Sequence, residues 1–309
     1  MQHLLTTVLK LHEDGALPGD LRVTNNALKE LRYAYKVFAP YRAVRKVTVF
    51  GSARTPPTDD SAGAAREFGR RMVQEGWMVI TGAGRRDHGR RAGGRGGEQS
   101  FGLNIRLPFE QDANPWIASD PKLITFKYFF TRKLFLVKEA SAVVLFPGGF
   151  GTMDEGFELM TLMQTGKSPI VPVVLCESGP SPTGASGTAS CRGRWSSAVL
   201  IDRRTPGSTA SSTAPRTRVR EVTDFYRVYH SSRIVGDDLV FRLTRPLTDD
   251  NLKDIQHRFE DLLKGPLDQS PGPLPLEQSE LPALPRLIVP FNRSSYARLR
   301  RLIDYINTL

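Results

Sequence analysis

The chain has 309 residues, 39% of them apolar and 24% charged, with a formal net charge of +11 and two cysteines. That composition suits a soluble globular protein rather than a disordered chain, and no run approaches the ~18 apolar residues of a membrane span. Cys176 and Cys191 lack metal-type or C-x-x-C spacing, which points to a reducing cytoplasm, and the histidines (His3, His12, His88, His230, His257) are too scattered to suggest a metal site.

The N-terminal stretch, with Leu4-Leu5, Val8-Leu9 and Leu11 broken by Lys10, His12 and Glu13, does not read as a signal peptide. Residues 26–38 carry Leu28, Leu31, Ala34, Tyr35 and Phe38 at helical spacing, with Thr24 or Asn25 as the expected cap. A first strand is expected over Val44–Ser52, then a helix over 61–75 and a strand Trp77–Thr81 running into Gly82-Ala83-Gly84. Strands follow at Phe101–Leu107 and Leu123–Phe126, then a helix over 129–140, a strand over 142–146, a helix over 151–165 and a strand Ile170–Leu175. Strands alternating with helices give an α/β fold, a Rossmann-like doubly wound parallel sheet with helices on both faces. A small C-terminal α/β extension is expected beyond it. It comprises a helix near 219–230, a strand Asp238–Leu243, a helix near 249–264 capped by Thr248 or Asp249, a Pro-rich linker over 266–285, the strand-like Leu287–Val289 and a basic helix over 294–307. Arg293, Arg298, Arg300 and Arg301 around that helix read as a solvated face. The expected division is therefore a helical segment 1–43, a Rossmann-like domain 44–177, an irregular basic tract 178–218 and an extension 219–309.

The most informative stretch is Pro147-Gly148-Gly149-Phe150-Gly151-Thr152-Met153-Asp154-Glu155, directly after the apolar run Ala142–Phe146. A strand that ends in a glycine turn and opens a helix aims backbone N–H groups and the positive end of a helix dipole at one point, which suits a phosphate. Gly148, Gly149 and Gly151 permit close approach and positive φ, Thr152 can donate from its hydroxyl, and Glu155 sets a carboxylate one turn into the helix. The loop is neither G-x-x-x-x-G-K-[ST] nor G-x-G-x-x-G, so a Walker-type NTPase or a dinucleotide oxidoreductase is disfavoured. Ligands of doubly wound sheets lie beyond the strand C-termini, where Gly51-Ser52 and Gly82 also end strands.

Phe129-Phe130-Thr131-Arg132-Lys133, Val137-Lys138-Glu139-Ala140 and then the nonapeptide resemble the LONELY GUY (LOG) family. Its pattern is an Arg-Lys pair on a helix followed by P-G-G-x-G-T-x-x-E, and it was long labelled "lysine decarboxylase". The resemblance runs from about Val44 to Glu177 with one gap, and residues 225–232 are similar to a longer bacterial subgroup. It implies a phosphoribohydrolase that releases the base from nucleoside 5′-monophosphates such as AMP or cytokinin ribotides, without a cofactor or metal. Glu155 and Arg132 would be catalytic, and Lys133, Gly51, Ser52, Gly82, Gly148, Gly149, Gly151 and Thr152 would bind substrate. The rival reading is a non-catalytic carrier of a phosphorylated ligand, similar to molybdenum-cofactor carriers, or an inactive variant. The resemblance also implies a homodimer paired through helices near the active site, for which Leu159, Met160, Leu162 and Met163 offer apolar surface.

Two segments depart from this pattern. Residues 85–95 stand where the family has a G-x-G-I-M loop and a helix, but carry Arg85, Arg86, Arg90, Arg91 and Arg95 without an apolar stripe. Residues 178–218 form a Ser/Thr/Pro/Gly/Arg tract of a length uncommon for an ordered connection. The two together hold most of the net positive charge, so the basicity is local and a nucleic-acid partner is disfavoured. Codons CGC-CGG-GAT-CAT-GGC for Arg85–Gly89 read Ala-Gly-Ile-Met one nucleotide later. Thr183–Ser190 can likewise be written so that a shifted frame gives Trp-Arg-Gln-Trp-His-Arg-Phe. Short compensated frameshifts would account for both anomalies. The alternative is a pair of genuine disordered basic loops that bind RNA or DNA electrostatically. In-frame codons throughout both segments on resequencing would remove the frameshift reading.

Overall fold

The computed structural model describes residues 1–52, 60–83, 99–106, 120–176, 209–212, 215–277 and 281–309. The expected irregularity of 85–97 and both proposed frameshifts lie outside those residues. Two helices, α1 (Gln2–Glu13) and α2 (Pro18–Phe38), precede the sheet. Helix α2 starts earlier than its apolar stripe suggests. Pro18 supplies a preset φ at the first turn, and the Asp20 carboxylate accepts from the Leu17 N–H at 3.1 Å, so neither Thr24 nor Asn25 is the cap.

The sheet contains β1 (Lys46–Phe50), β2 (Met78–Thr81), β3 (Ser100–Ile105), β4 (Leu123–Phe126), β5 (Ala142–Leu145), β6 (Val173–Cys176) and β7 (Thr209–Ser212). Their order is β4-β3-β2-β1-β5-β6-β7, and every pairing is parallel. Helices α3 (Asp60–Gln74), α4 (Phe129–Lys138), α5 (Phe150–Gln164) and α6 (Pro215–Asp224) cover it. Alternation along the strands fills two cores. Ile80, Leu103, Val143 and Leu145 pack with α2, α4 and α5 through Phe38, Phe135 and Leu159. Val47, Val79, Val144 and Val174 pack with α3 and α6 through Phe68, Met72 and Val222. Each such buried aliphatic side chain contributes about 1.5–3 kcal/mol. The fold is the Rossmann-like doubly wound sheet that the alternation implied. Its strand order reverses between β1 and β5, and the ligand crevice of such sheets opens there.

Thr209–Ser212 and the start of α6 fall inside the tract expected to be irregular. Short, polar Thr-Ala-Ser-Ser has no apolar alternation of its own and becomes a strand by pairing with the buried edge of β6.

The C-terminal unit is a four-stranded antiparallel sheet, β10-β11-β9-β8, built from β8 (Tyr229–Val235), β9 (Asp238–Leu243), β10 (Asp268–Ser270) and β11 (Arg286–Val289). Helices α7 (Asp249–Arg258) and α8 (Tyr296–Ile306) close a third core over it. The helix expected to run to residue 230 ends at Asp224 instead, and Tyr229 begins a strand. The cause lies downstream: Gly236, at φ 62, makes the tight turn that folds β8 back on β9. The Pro-rich linker likewise contains β10, paired with β11. Thr248 is the cap of α7, accepting from the Asn251 N–H at 3.2 Å. Arg300 is not solvated as expected. It is buried, 2.8 Å from Asp304, and its guanidinium lies over the Phe225 ring. Among the described residues no helix is long and apolar enough to cross a membrane.

Candidate active site

The loops after β1 and β5 meet at the strand-order reversal. The Ser52 N–H donates to Pro147 O at 3.3 Å, which joins Gly51-Ser52 to the glycine loop. Gly148 is the residue this junction requires. A Cβ there would collide with the Thr152 side chain and stand 3.1 Å from Ser52 N. Gly149 and Gly151 face open space within 4 Å, so their bareness leaves room rather than relieving a clash. None of the three takes the positive φ that the sequence suggested. Gly149 is instead the extended N-cap residue of α5. Helix geometry leaves the Phe150 and Gly151 N–H groups without intrahelical acceptors, whereas the Thr152 N–H donates to Gly149 O at 3.0 Å. Thr152, expected as a hydroxyl donor, is buried beneath the loop against Gly148.

Arg132 reaches the same crevice from α4. Thr131 fixes the helix by donating from Oγ1 to Glu30 Oε2 on α2 (2.6 Å), while Phe135 and Leu136 bury the inner face. The Arg132 guanidinium then donates to Leu103 O within β3 (2.8 Å) and to Gly82 O just past β2 (3.2 Å). A Cβ on Gly82 would fall 2.7 Å from Arg132 Nη2, so a larger residue there would displace the end of the guanidinium. The next residue, Ala83, holds φ 57, a left-handed conformation unusual for a residue with a Cβ. Burial weakens the hold of Arg132 on its proton, and the nearby Glu155 carboxylate opposes that effect.

Lys133 points the other way. Its ammonium lies 2.6 Å from both Asp154 Oδ2 and Glu158 Oε2, which flank Glu155 along α5. Burial disfavours its charge, but the two hydrogen-bonded carboxylates outweigh that and raise its pKa. The expected phosphate cation is thus a clamp between α4 and α5. Neither Asp154 nor Glu158 was singled out from sequence, although carboxylates one residue before and three after Glu155 share a helix side.

Glu155 is what the clamp leaves over. It is 6% exposed, and its Oε2 is buried with no hydrogen-bond partner among the described residues. Burial pushes its pKa up to about 7, with Lys133 and Arg132 opposing and Asp154 and Glu158 reinforcing the shift. A carboxyl poised near neutrality, beside a cation and a bare helix N-terminus, can exchange a proton with a ligand group at working pH.

Among solved structures, the chain is similar to the molybdenum cofactor binding protein of Rippkaea orientalis, at 14% identity and a TM-score of 0.36. Two structures of the molybdenum cofactor carrier protein of Chlamydomonas reinhardtii give 18% identity and the same TM-score. Each alignment covers 58% of this chain and 96% of the other. No curated protein matches the sequence. Residues 88–179, which hold Arg132, Lys133 and the Pro147–Glu155 loop, match the model of the family described as possible lysine decarboxylase.

Proposed function

We propose that this protein is a phosphoribohydrolase that cleaves the N-glycosidic bond of nucleoside 5′-monophosphates, AMP or cytokinin ribotides, to free base and ribose 5-phosphate. The observation that carries the reading is Glu155: buried, one oxygen unpartnered, its pKa near 7, at the mouth of the strand-order reversal. The 5′-phosphate sits on the first-turn amides of α5 beside Gly149 and Gly151. As the bond from C1′ to the base nitrogen breaks, positive charge grows on the ribose, as in glycoside hydrolysis. Glu155 stabilises that charge and takes a proton from the water whose oxygen bonds to C1′, and the departing base nitrogen picks up its proton from solvent water. Arg132, tied to carbonyls of β3 and of Gly82 after β2, positions the substrate and holds negative charge on Glu155.

Lysine decarboxylation through a Schiff base needs an amine that loses its proton readily. Lys133, the lysine nearest Glu155 in this arrangement, is held protonated by two carboxylates. The exposed Phe129, Phe130 and Leu134 on α4, with Phe150 and Phe157 on α5, supply an apolar face for a homodimer. Leu159 and Met163 do not contribute to it, because they face the sheet. Sedimentation at micromolar concentration should give the mass of two chains.

The test is a base-release assay over a panel of nucleoside 5′-monophosphates, followed by chromatography of free base. It should be run on the chain as it stands and with residues 85–95 replaced by the in-frame Gly-Ile-Met loop. Release of adenine or a substituted adenine supports the hydrolase. Nucleotide binding without release in both forms assigns a carrier instead.

A further inference from the structure

A cavity of about 170 Å³ lies where the C-terminal unit meets the connection between α5 and β6, at the end of α5 remote from Glu155. Helix α5 has 15 residues, so roughly 22 Å separate this cavity from the glycine loop. Its floor is apolar, with Phe291, Leu299 and Ile303 all buried and Leu239 beside them. Its walls carry Lys167, Arg233 and Arg293 against one carboxylate, Asp237. Tyr296 closes one side. Its ring and hydroxyl fit against Gly166, where φ 68 and the absence of a Cβ are both needed for the approach. Arg293 itself holds φ 60, a conformation that a glycine would adopt without strain, so the position keeps a guanidinium where backbone geometry favours none.

From this juxtaposition we propose a second ligand site, for a small aromatic anion: a single ring bearing a carboxylate or a phosphate. The volume matches one ring, since a dry cavity of ~150 Å³ suffices for benzene, and is too small for a whole nucleotide. The apolar floor takes the ring, and the excess of cations at the walls takes the charge. Nothing in this site depends on the phosphoribohydrolase reading.

Calorimetric titration of the full chain with phenyl phosphate and with benzoate tests it, with benzyl alcohol as the neutral ring and inorganic phosphate as the bare anion. Both aromatic anions should bind with dissociation constants of about 1 mM or tighter, and benzyl alcohol and phosphate each at least ~10-fold more weakly, given what one charged hydrogen bond contributes. Arg293→Gly should weaken both aromatic anions about tenfold while leaving the thermal midpoint unchanged or higher, and Leu239→Trp should abolish binding by filling the floor. Gly149→Asp places a carboxylate in the strand-end loop, where there is open space for it, and should leave benzoate and phenyl phosphate affinity unaltered. The proposal is overturned if neither aromatic anion binds, if benzyl alcohol binds as well as they do, if Arg293→Gly binds like the parent, or if Gly149→Asp removes the binding.

Discussion

Two glutamates in this molecule are equally buried, at 6% exposure, and their chemistry is opposite. Glu277, in the C-terminal unit, receives Arg242 Nε and Nη2 at 2.9 and 2.6 Å and Arg286 Nε and Nη2 at 2.9 and 3.0 Å. Hydrogen bonds from Arg286, and then from Arg242, hold its carboxyl down at about 2 against the desolvation that opposes them. Glu155 has cations nearby, yet Lys133 is committed to Asp154 and Glu158, and Arg132 to two backbone carbonyls. Its pKa rises to about 7. Burial is common to both, so it decides neither. What separates a structural carboxylate from a chemically available one is whether the surroundings complete its hydrogen bonds.

The strongest way to break this contrast is to remove Glu277. Glu277→Gln removes the carboxylate on which Arg242 and Arg286 converge, and breaking such a cluster costs about 3–5 kcal/mol. Chemical denaturation should show that loss in the C-terminal unit. Acid should also act differently on the two proteins. A carboxyl with a depressed pKa contributes stability that is present above its unfolded value and is lost as pH falls. The parent should therefore weaken between about pH 4.5 and 2, and Glu277→Gln should not share that step.

Glu155→Gln should do the reverse, sparing the fold and harming the chemistry. Turnover should fall about 10²-fold or more, the scale for a positioned acid–base or charge-stabilising group. Nucleotide affinity should stay within a few-fold, because the α5 amides need no carboxylate to hold phosphate. Equal rates of adenine release from AMP by parent and variant would reduce Glu155 to a helix-terminal carboxylate. Arg132→Ala should impair both affinity and turnover, because the guanidinium positions substrate as well as Glu155.

A smaller effect separates the glutamates thermodynamically. Glu155 has a raised pKa, so the folded chain binds its proton more tightly than the unfolded one, and stability falls as pH rises from about 4.5 through about 7. Relative to the parent, Glu155→Gln should gain about 2 kcal/mol by pH 8 and little at pH 5. Parallel urea midpoints at the two pH values measure it. A constant difference would mean that the Glu155 carboxyl is already satisfied in the folded state.

The doubly wound sheet was legible in the sequence because its strands are apolar runs and its helices carry apolar stripes, and those are local patterns. Leu123–Phe126 and Asp238–Leu243 match their expected bounds. The strand–glycine-turn–helix unit at 147–155 was legible because it is built from consecutive residues. Thr209–Ser212 was not, since its strand character comes from β6 rather than from its own side chains. Nor were the partners of Arg132 and Lys133. Two are backbone carbonyls some 29 and 50 residues away, which carry no sequence signal. Glu277 lay in a stretch read as a linker, and only the fold shows that two arginines on neighbouring strands converge on it. The cationic cavity at Tyr296 escaped for the same reason, since its walls come from three separate parts of the chain.

The smallest predicted effect tests whether the bare surface at the loop belongs to a ligand. The loop glycines fall into two groups. Gly148 has no space for a methyl group, so Gly148→Ala should cost about 1–3 kcal/mol through the displaced Thr152 side chain. Gly151 lies within α5, has no positive φ and has nothing within 4 Å of a built Cβ. On stability alone alanine is the better residue there, and Gly151→Ala should stabilise by up to about 0.5 kcal/mol, or raise the thermal midpoint by about 1–2 °C. If phosphate rests on the first-turn amides, the same methyl group intrudes on it and should weaken AMP binding about tenfold. A variant that is more stable and binds less well would show that the glycine serves close approach of a ligand. A variant that is more stable and binds equally would move the phosphate away from α5, and with it the reason for placing Glu155 beside the ribose.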